Sequence, residues 1–182
     1  CLKHEKINLT DIKIITVNSN PNSNLKEKLL YTLHSKNIIN DATSFLKRQS
    51  KKLTLKNELE KYFKKTIKAK IVRFDHHLSH IASSYYLSGF KSATGISIDG
   101  FGDFCSLAIA SCKGKKIEVL KRTFYPNSLG VFYEGITQIL GFNNYGDEYK
   151  VMGLSAYGKP VFKKKLEKII KFNEMNFIKL DL

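Results

Sequence analysis

The sequence predicts an α/β protein, and three patterns along the chain carry that prediction. A short β-branched run at 12–17 is followed by two helical patterns, Leu25 to about Leu33 and Leu55 to Lys65. A second apolar run at 71–74 then leads into a helical pattern at 77–87. Residues 93–120 read as three short strands separated by glycine-containing turns. Strands that alternate with helices favour an α/β fold.

Local signals delimit the first half of the chain. The segment 20–24 is rich in Asn, Pro and Ser, which is typical of a turn and of a helix N-cap. The helix predicted from Leu55 is amphipathic, with Leu59, Tyr62 and Phe63 on one side. The strand at 71–74 places the polar residues that follow it at its carboxyl end.

The second half begins with the helix at 77–87, which Gly89 suits as a C-cap. We expect a strand at 93–99, a tight turn at 100–103, a return strand at 104–111 and a third strand at 117–120 after a turn at 113–115. Ser128 should cap a helix that Gly141 closes. Residues 147–154 form a compact, chemically mixed segment, and 161–172 read as a lysine-rich helix.

Bulk composition indicates a folded domain. The 182 residues are 42% hydrophobic and 12% aromatic, which argues against disorder. No apolar run approaches the roughly 18 residues of a membrane span, and no signal peptide is evident. Three cysteines are too few for a disulfide framework, and Cys105 and Cys112 are expected to fill strand positions. We therefore expect a cytoplasmic protein without a membrane partner. Because Cys1 stands where an initiator Met is usual, the chain reads as starting within a longer protein.

The net charge of +15 does not predict nucleic-acid binding. Residues 1–70 contain 16 basic and 6 acidic side chains, whereas residues 71–160 contain 9 and 7. A phosphate-backbone interface requires a clustered basic stripe, preferably with arginine or aromatic residues interleaved. The lysines here are instead spread over helical segments rich in Asn and Ile, which is typical of a solvated surface.

Three of the five histidines fall within five residues, and their spacing predicts a metal site. On a helix, His76 and His80 are i and i+4 and lie on one face. Asp99 ends the strand that follows and could bring a carboxylate to the same place. Two imidazoles and a carboxylate suit zinc or non-haem iron, and the imidazoles alone also suit copper or nickel. His77 points elsewhere on the helix, towards either an internal hydrogen bond or a bound ligand.

Four segments occur in an order that is more specific than any one of them: FDHHLSHIASSYYLSGF, SIDGFGDFCSL, SLGVFYEGITQILGF and GDEYKVMGLSAYGKP. Together they resemble the NodU/CmcH family of O-carbamoyltransferases. The resemblance is strong over about 71–160 and weaker back to Cys1. It implies an actin-like ATPase fold (ASKHA, Kae1-like), of which residues 1–182 would form a partial N-terminal domain truncated at both ends.

The resemblance also implies an activity. A C-terminal YrdC-like domain of the same polypeptide would convert carbamoyl phosphate and ATP into carbamoyl-adenylate. The Kae1-like domain would then pass the carbamoyl group to a hydroxyl of a small natural product or glycan. The expected cofactor is Fe²⁺ or another divalent metal.

The implied site residues follow from the matching motifs. His76, His80 and Asp99 match the metal ligands of the family. Gly100, Gly102 and Asp103 match its phosphate-side turn, where backbone N–H groups hold phosphate. Lys150 lies in the EYKVMGL segment, where a phosphate or adenylate contact competes with a salt bridge to Asp147 or Glu148. No residue can be assigned as the general base.

Two other readings stay open. One is a Kae1-like or HypF-like enzyme of another carbamoylation branch, and the GDEYKVMGLSAYG segment argues for the O-carbamoyltransferase branch instead. The other is a non-catalytic fragment that keeps the fold. Retention of both histidines and both aspartates disfavours it.

Overall fold

The computed structural model of the protein describes residues 2, 4–34, 43, 55–173 and 177–181. It divides into two compact units, residues 1–76 and 77–182. Helices and strands alternate, so the predicted mixture of α and β structure is confirmed. Cys1 lies outside the described residues.

The first unit contains a parallel strand pair, β1 (Ile14–Val17) and β2 (Lys70–Arg73), with Ile14 opposite Lys70. Parallel neighbours require a crossover, and this one includes helix α1 (Leu25–His34) and helix α2 (Leu55–Phe63). A 3₁₀ turn, Leu9–Asp11, precedes β1. The predicted elements are present with ends shifted by one or two residues. The apolar side of α2 is only partly covered, because Tyr62 is exposed.

The second unit is built around an antiparallel meander of β3 (Ser92–Gly102), β4 (Cys105–Lys113) and β5 (Lys116–Phe124), which confirms the predicted three-stranded arrangement. Helix α3 (His76–Leu87) packs on it through Ile81 and Tyr85, which form a core with three buried residues of β4. Those residues are Ala108, Ala110 and Cys112. As expected, Cys105 and Cys112 are fully buried strand residues, and neither is part of a disulfide.

Gly95 lets the helix lie close to the meander. A Cβ at this position would stand 2.5 Å from Cγ2 of Ile81 and 3.1 Å from Sγ of Cys112. The contact with Ile81 is too short for any Cβ, the contact with Cys112 is unusually tight, and both neighbours lie in the core. Any larger residue at Gly95 would therefore push α3 away from β3, and with it the histidines that the helix carries.

The predicted tight turn at 100–103 is wrong in its position. Strand β3 runs on to Gly102, which pairs with Cys105, and the turn consists of Asp103 and Phe104. Both turn residues have positive φ, 52° and 74°. A two-residue hairpin whose twist matches the strands requires this conformation, although neither residue is glycine. Tyr125 supports the hairpin, because its ring packs against the rings of Phe101 and Phe104, with ring centroids 5.0 and 5.6 Å apart.

After the meander come helix α4 (Leu129–Ile139), helix α5 (Glu148–Leu154), a 3₁₀ turn (Ser155–Tyr157) and helix α6 (Lys163–Ile169). The predicted helix over 161–172 is wrong in its last three residues, because α6 ends at Ile169. Residues Ile170–Asn173 form β6, which pairs antiparallel with β7 (Phe177–Leu180). A strand suits this stretch because Ile170 and Phe172 are β-formers and because β7 supplies the hydrogen-bonding partners.

Within the described part of the chain, no helix is both long enough and apolar enough to cross a lipid bilayer.

Candidate metal centre

Helix α3 carries two of the predicted ligands. His76 is its first residue and His80 stands one turn later, so the helical repeat places both imidazoles on one face. His76 Nδ1 lies 3.1 Å from the carbonyl oxygen of Asn18. Because a carbonyl only accepts, Nδ1 carries the proton, and Nε2 is the ring nitrogen whose lone pair a metal would use.

Asp99 reaches the same place through a bulge in β3. Ile98 pairs with Leu107 and Gly102 pairs with Cys105, so three residues of β3 stand opposite Ser106 alone. Bulges of this kind redirect side chains and are frequent next to functional sites. The carboxylate is oriented locally, because its Oδ1 accepts a 2.7 Å hydrogen bond from the N–H of Gly100. Its Oδ2 lies 3.6 Å from His80 Nε2.

The structure thus brings His76, His80 and Asp99 together, with one potential ligand atom from each lying within 4.8 Å of the others. A metal bound at about 2.1 Å holds its ligand atoms at most about 4.2 Å apart, so small side-chain rotations suffice for coordination. Two imidazoles and one carboxylate form the donor set of non-haem iron sites and also suit zinc. The donor set therefore fits a divalent metal. The side chains of His80 and Asp99 are 49% and 39% exposed, which leaves the group accessible to solvent and to a substrate.

His77 does not face this group, and the structure supports the internal hydrogen bond over the ligand contact. Its ring is fully buried, with Nε2 at 2.9 Å from the carbonyl oxygen of Cys105 and Nδ1 at 2.8 Å from Oγ of Ser97. The carbonyl can only accept, so Nε2 carries the proton, and in the neutral ring Nδ1 accepts from the serine hydroxyl. A substrate cannot reach a ring in this position. His77 instead ties α3 to β3 and β4.

The three glycine and aspartate residues predicted to contact phosphate lie at three successive places at the end of β3 and in the turn that follows it. Gly100 belongs to the bulge, Gly102 to the last strand pair, and Asp103 is a buried residue of the hairpin turn. A Cβ on Gly100 would meet no described atom within 4 Å, so packing does not demand glycine there. The backbone of this segment runs directly on from Asp99, so a phosphate bound there would lie next to the Asp99 carboxylate.

Lys150 forms the salt bridge that was the alternative to a phosphate contact. Its Nζ lies 2.7 Å from Oδ1 of Asp147, three residues earlier. The hydrogen bond between the two side chains lowers the pKa of Asp147 and raises the pKa of Lys150 from their ordinary values. Asp147 also accepts from the backbone and side chain of Asn144.

Two residues that hold the Asp99 segment were missed by the sequence interpretation. Ser128 was predicted only as a helix cap, and it does accept from the N–H of Val131 at 3.1 Å. Its hydroxyl also lies 2.7 Å from the carbonyl oxygen of Gly100. Gly130 follows in the first turn of α4, against the backbone of Asp99 and Gly100. The available signal was a glycine at a helix start, where better helix formers are usual.

The fold and this group define a mixed α/β protein with a candidate divalent-metal centre, and comparison with known proteins gives its family. The family model described as "Carbamoyltransferase N-terminus" matches residues 1–179. The chain therefore belongs to the carbamoyltransferase N-terminus family, which confirms the predicted resemblance.

Individual relatives agree with this membership. "Nodulation protein NolNO" of Sinorhizobium fredii is 33% identical over 163 residues, 88% of this chain. "Nodulation protein NolO" of Bradyrhizobium diazoefficiens is 43% identical over 86 residues, 47% of this chain. An uncharacterized protein of Methanocaldococcus jannaschii, MJ1051, is 41% identical over 97 residues, 53% of this chain. The matches span only 22%, 16% and 19% of these proteins' own lengths.

Proposed function

We propose that this chain is part of an O-carbamoyltransferase that transfers a carbamoyl group to a hydroxyl of a small natural product or glycan. The single observation that carries the proposal is the family match over residues 1–179. The convergence of His76, His80 and Asp99, which the resemblance implies as metal ligands, supports it independently.

In this proposal His76, His80 and Asp99 hold Fe²⁺ or another divalent metal. A bound divalent metal acts as a Lewis acid that polarises a carbonyl or phosphoryl oxygen. The protein's part is to set the donor geometry. The helical repeat spaces the two imidazoles, and the Asn18 carbonyl keeps His76 in the tautomer that presents Nε2. The N–H of Gly100 orients the Asp99 carboxylate towards His80.

The donor of the carbamoyl group is carbamoyl-adenylate, formed from carbamoyl phosphate and ATP in a YrdC-like domain of the same polypeptide. We place the phosphate of the adenylate against the backbone of Gly100 and Gly102, with Asp103 at the adjoining turn. To contact this phosphate, Lys150 would have to give up its salt bridge with Asp147. The overall architecture proposed is the actin-like (ASKHA, Kae1-like) fold, with residues 1–182 forming part of one domain, in a cytoplasmic protein with no nucleic-acid or membrane partner.

The test uses the full-length protein with ATP, labelled carbamoyl phosphate and Fe²⁺ under anaerobic conditions. Pyrophosphate release reports adenylate formation, and label in a panel of glycans and hydroxylated natural products reports transfer. We expect the wild-type protein to do both. His80→Ala should continue to release pyrophosphate but lose transfer, because it removes one of three proposed ligands and leaves the other domain intact.

His34→Ala is the matched control, because His34 is an exposed histidine at the end of α1. It should behave as wild type in both measurements. If His80→Ala transfers as well as wild type, the site assignment is wrong. If wild type releases no pyrophosphate from ATP and carbamoyl phosphate, the proposed activity is wrong.

A further inference from the structure

We propose that Ser128 and Gly130, at the start of α4, are positioning residues that set the place of the Asp99 carboxylate in the metal centre. The inference rests on the proposed metal site and assigns two residues outside it. Neither residue is a candidate metal ligand. Both act on the short stretch of backbone from which the Asp99 side chain projects.

The bulge in β3 creates the need for such residues. Within a regular ladder, strand pairing fixes the backbone, but here the three residues Asp99–Phe101 stand opposite Ser106 alone. A bulged segment is bent and its ladder is locally disrupted. Its position must therefore be fixed by a neighbouring element, and the start of α4 lies directly against the Asp99–Gly100 backbone.

Ser128 supplies a polar attachment at this point. Its side chain is 1% exposed, and its hydroxyl donates to the carbonyl oxygen of Gly100 at 2.7 Å, with that of Asp99 at 3.2 Å. The same oxygen accepts from the N–H of Val131. One buried hydroxyl thus joins the first turn of α4 to the peptide that follows Asp99. Loss of the hydroxyl would leave the partly buried carbonyl groups of Asp99 and Gly100 with weaker hydrogen bonding, which disfavours the present position of the bulge.

Gly130 sets the separation between the two elements. A Cβ at this position would stand 2.7 Å from the backbone nitrogen of Gly100 and 2.8 Å from both the carbonyl carbon and oxygen of Asp99. These are main-chain atoms, which cannot rotate away as a flexible side chain can. Any residue other than glycine must displace either the start of α4 or the Asp99–Gly100 peptide.

Displacement of this peptide changes the metal geometry directly. The N–H of Gly100 is the donor that holds Oδ1 of Asp99, so the peptide and the carboxylate move together. Coordination is sensitive to shifts of about 0.5 Å in the supporting structure. Losses of about 10- to 100-fold in metal affinity are typical when residues that orient a ligand are changed.

The experiment measures metal binding, with the full-length protein, four single variants and Co²⁺ alone as the probe. Chelator competition gives the Kd, and the visible absorption of bound Co²⁺ reports its coordination. Ser128→Ala and Gly130→Ala should each weaken Co²⁺ binding by about 10- to 100-fold and change the absorption band. Ser128→Thr retains the hydroxyl and should restore most of the affinity.

Gly135→Ala is the matched control, because Gly135 lies in the same helix and a Cβ there meets nothing within 4 Å. It should bind Co²⁺ as wild type does. Thermal unfolding of each metal-free variant separates a general loss of stability from a change in the site, since only the latter alters the absorption band of the folded protein. If Gly130→Ala does not fold, Ser128→Ala alone decides.

The outcomes separate the two proposals. If wild type binds Co²⁺ and Ser128→Ala and Gly130→Ala bind it within twofold of wild type, the positioning role is wrong and the metal site stands. If wild type itself fails to bind Co²⁺, the proposed metal site is wrong and the positioning role is wrong with it.

Discussion

The His76–His80–Asp99 group and the Asp147–Lys150 pair differ in what they contain. The first group consists of imidazoles and a carboxylate, which donate electron pairs, and its members come from two elements, with Asp99 placed 19 positions after His80. A cation completes such a group. The second contains its own cation, because Lys150 and Asp147 are three residues apart and bind each other. Whether a charged side chain in a family motif binds a ligand is therefore best decided from the opposite charge that lies nearest to it in the structure.

His77 provides the strongest test of this comparison, because it lies between the two candidate ligands but is buried. We expect His77→Ala to lower the free energy of unfolding by about 3 kcal/mol, since it leaves a cavity and removes the partners of Ser97 Oγ and the Cys105 carbonyl. Urea unfolding measures the change. Ser83→Ala, on an exposed side of the same helix, should stay within about 0.5 kcal/mol of wild type.

A His77→Ala protein as stable as wild type would contradict the structural role of this histidine. If instead stability were unchanged and carbamoyl transfer alone were lost, the ligand contact considered from the sequence would be the correct interpretation of His77.

Asp99→Asn tests the charge of the metal group with little change of shape. The amide oxygen of Asn can still accept from the Gly100 N–H, so the metal-free protein should fold as before. Metal affinity should fall because an anionic ligand becomes neutral. The loss should be no smaller than the roughly 10- to 100-fold that is typical when a residue that only orients a ligand is changed. Isothermal titration with Fe²⁺ under anaerobic conditions measures it. Unchanged affinity would remove Asp99 from the donor set.

The sequence predicted well those features that depend on regular repeats. The spacing of His76 and His80 fixes their common helix face, and alternation along 93–120 gave the three-stranded meander. The α/β class and most element positions followed from the same periodicities. Family membership was predicted from the order of four sequence motifs, and hydrophobic periodicity alone would not have indicated it.

The features it missed depend on contacts between distant residues. Nothing local in the sequence marks the bulge at Asp99–Phe101, so the turn was predicted at 100–103, whereas the structure has it at Asp103 and Phe104. The lysine-rich pattern at 161–172 suited a helix, but pairing with β7 made its end a strand. The contacts of Ser128 and Gly130 with the Asp99 segment span about 30 residues and could not be read from either segment alone.

The smallest expected effect concerns the second region. Lys150→Met removes the hydrogen bond that lowers the pKa of Asp147, so the variant should unfold at a lower urea concentration than wild type at neutral pH. Because the folded-state pKa of Asp147 is depressed, its contribution is present above the ordinary value of 3.8 and is lost as pH falls through the lowered value. The raised pKa of Lys150 means that its contribution is lost only as pH rises above 10.5.

The gap between wild type and Lys150→Met should therefore be constant near neutral pH and close in strong acid, which urea midpoints across a pH series would show. Lys116→Met is the control, since Lys116 and Glu118 pair at 2.7 Å on a well-exposed strand surface where such pairs contribute little. If the difference in urea midpoint between wild type and Lys150→Met does not change with pH, the Asp147–Lys150 ion pair does not contribute to stability. If Lys150→Met kept wild-type stability but lost ATP binding in the full-length protein, Lys150 would belong with the phosphate-contacting residues, and the contrast between the two regions would fail.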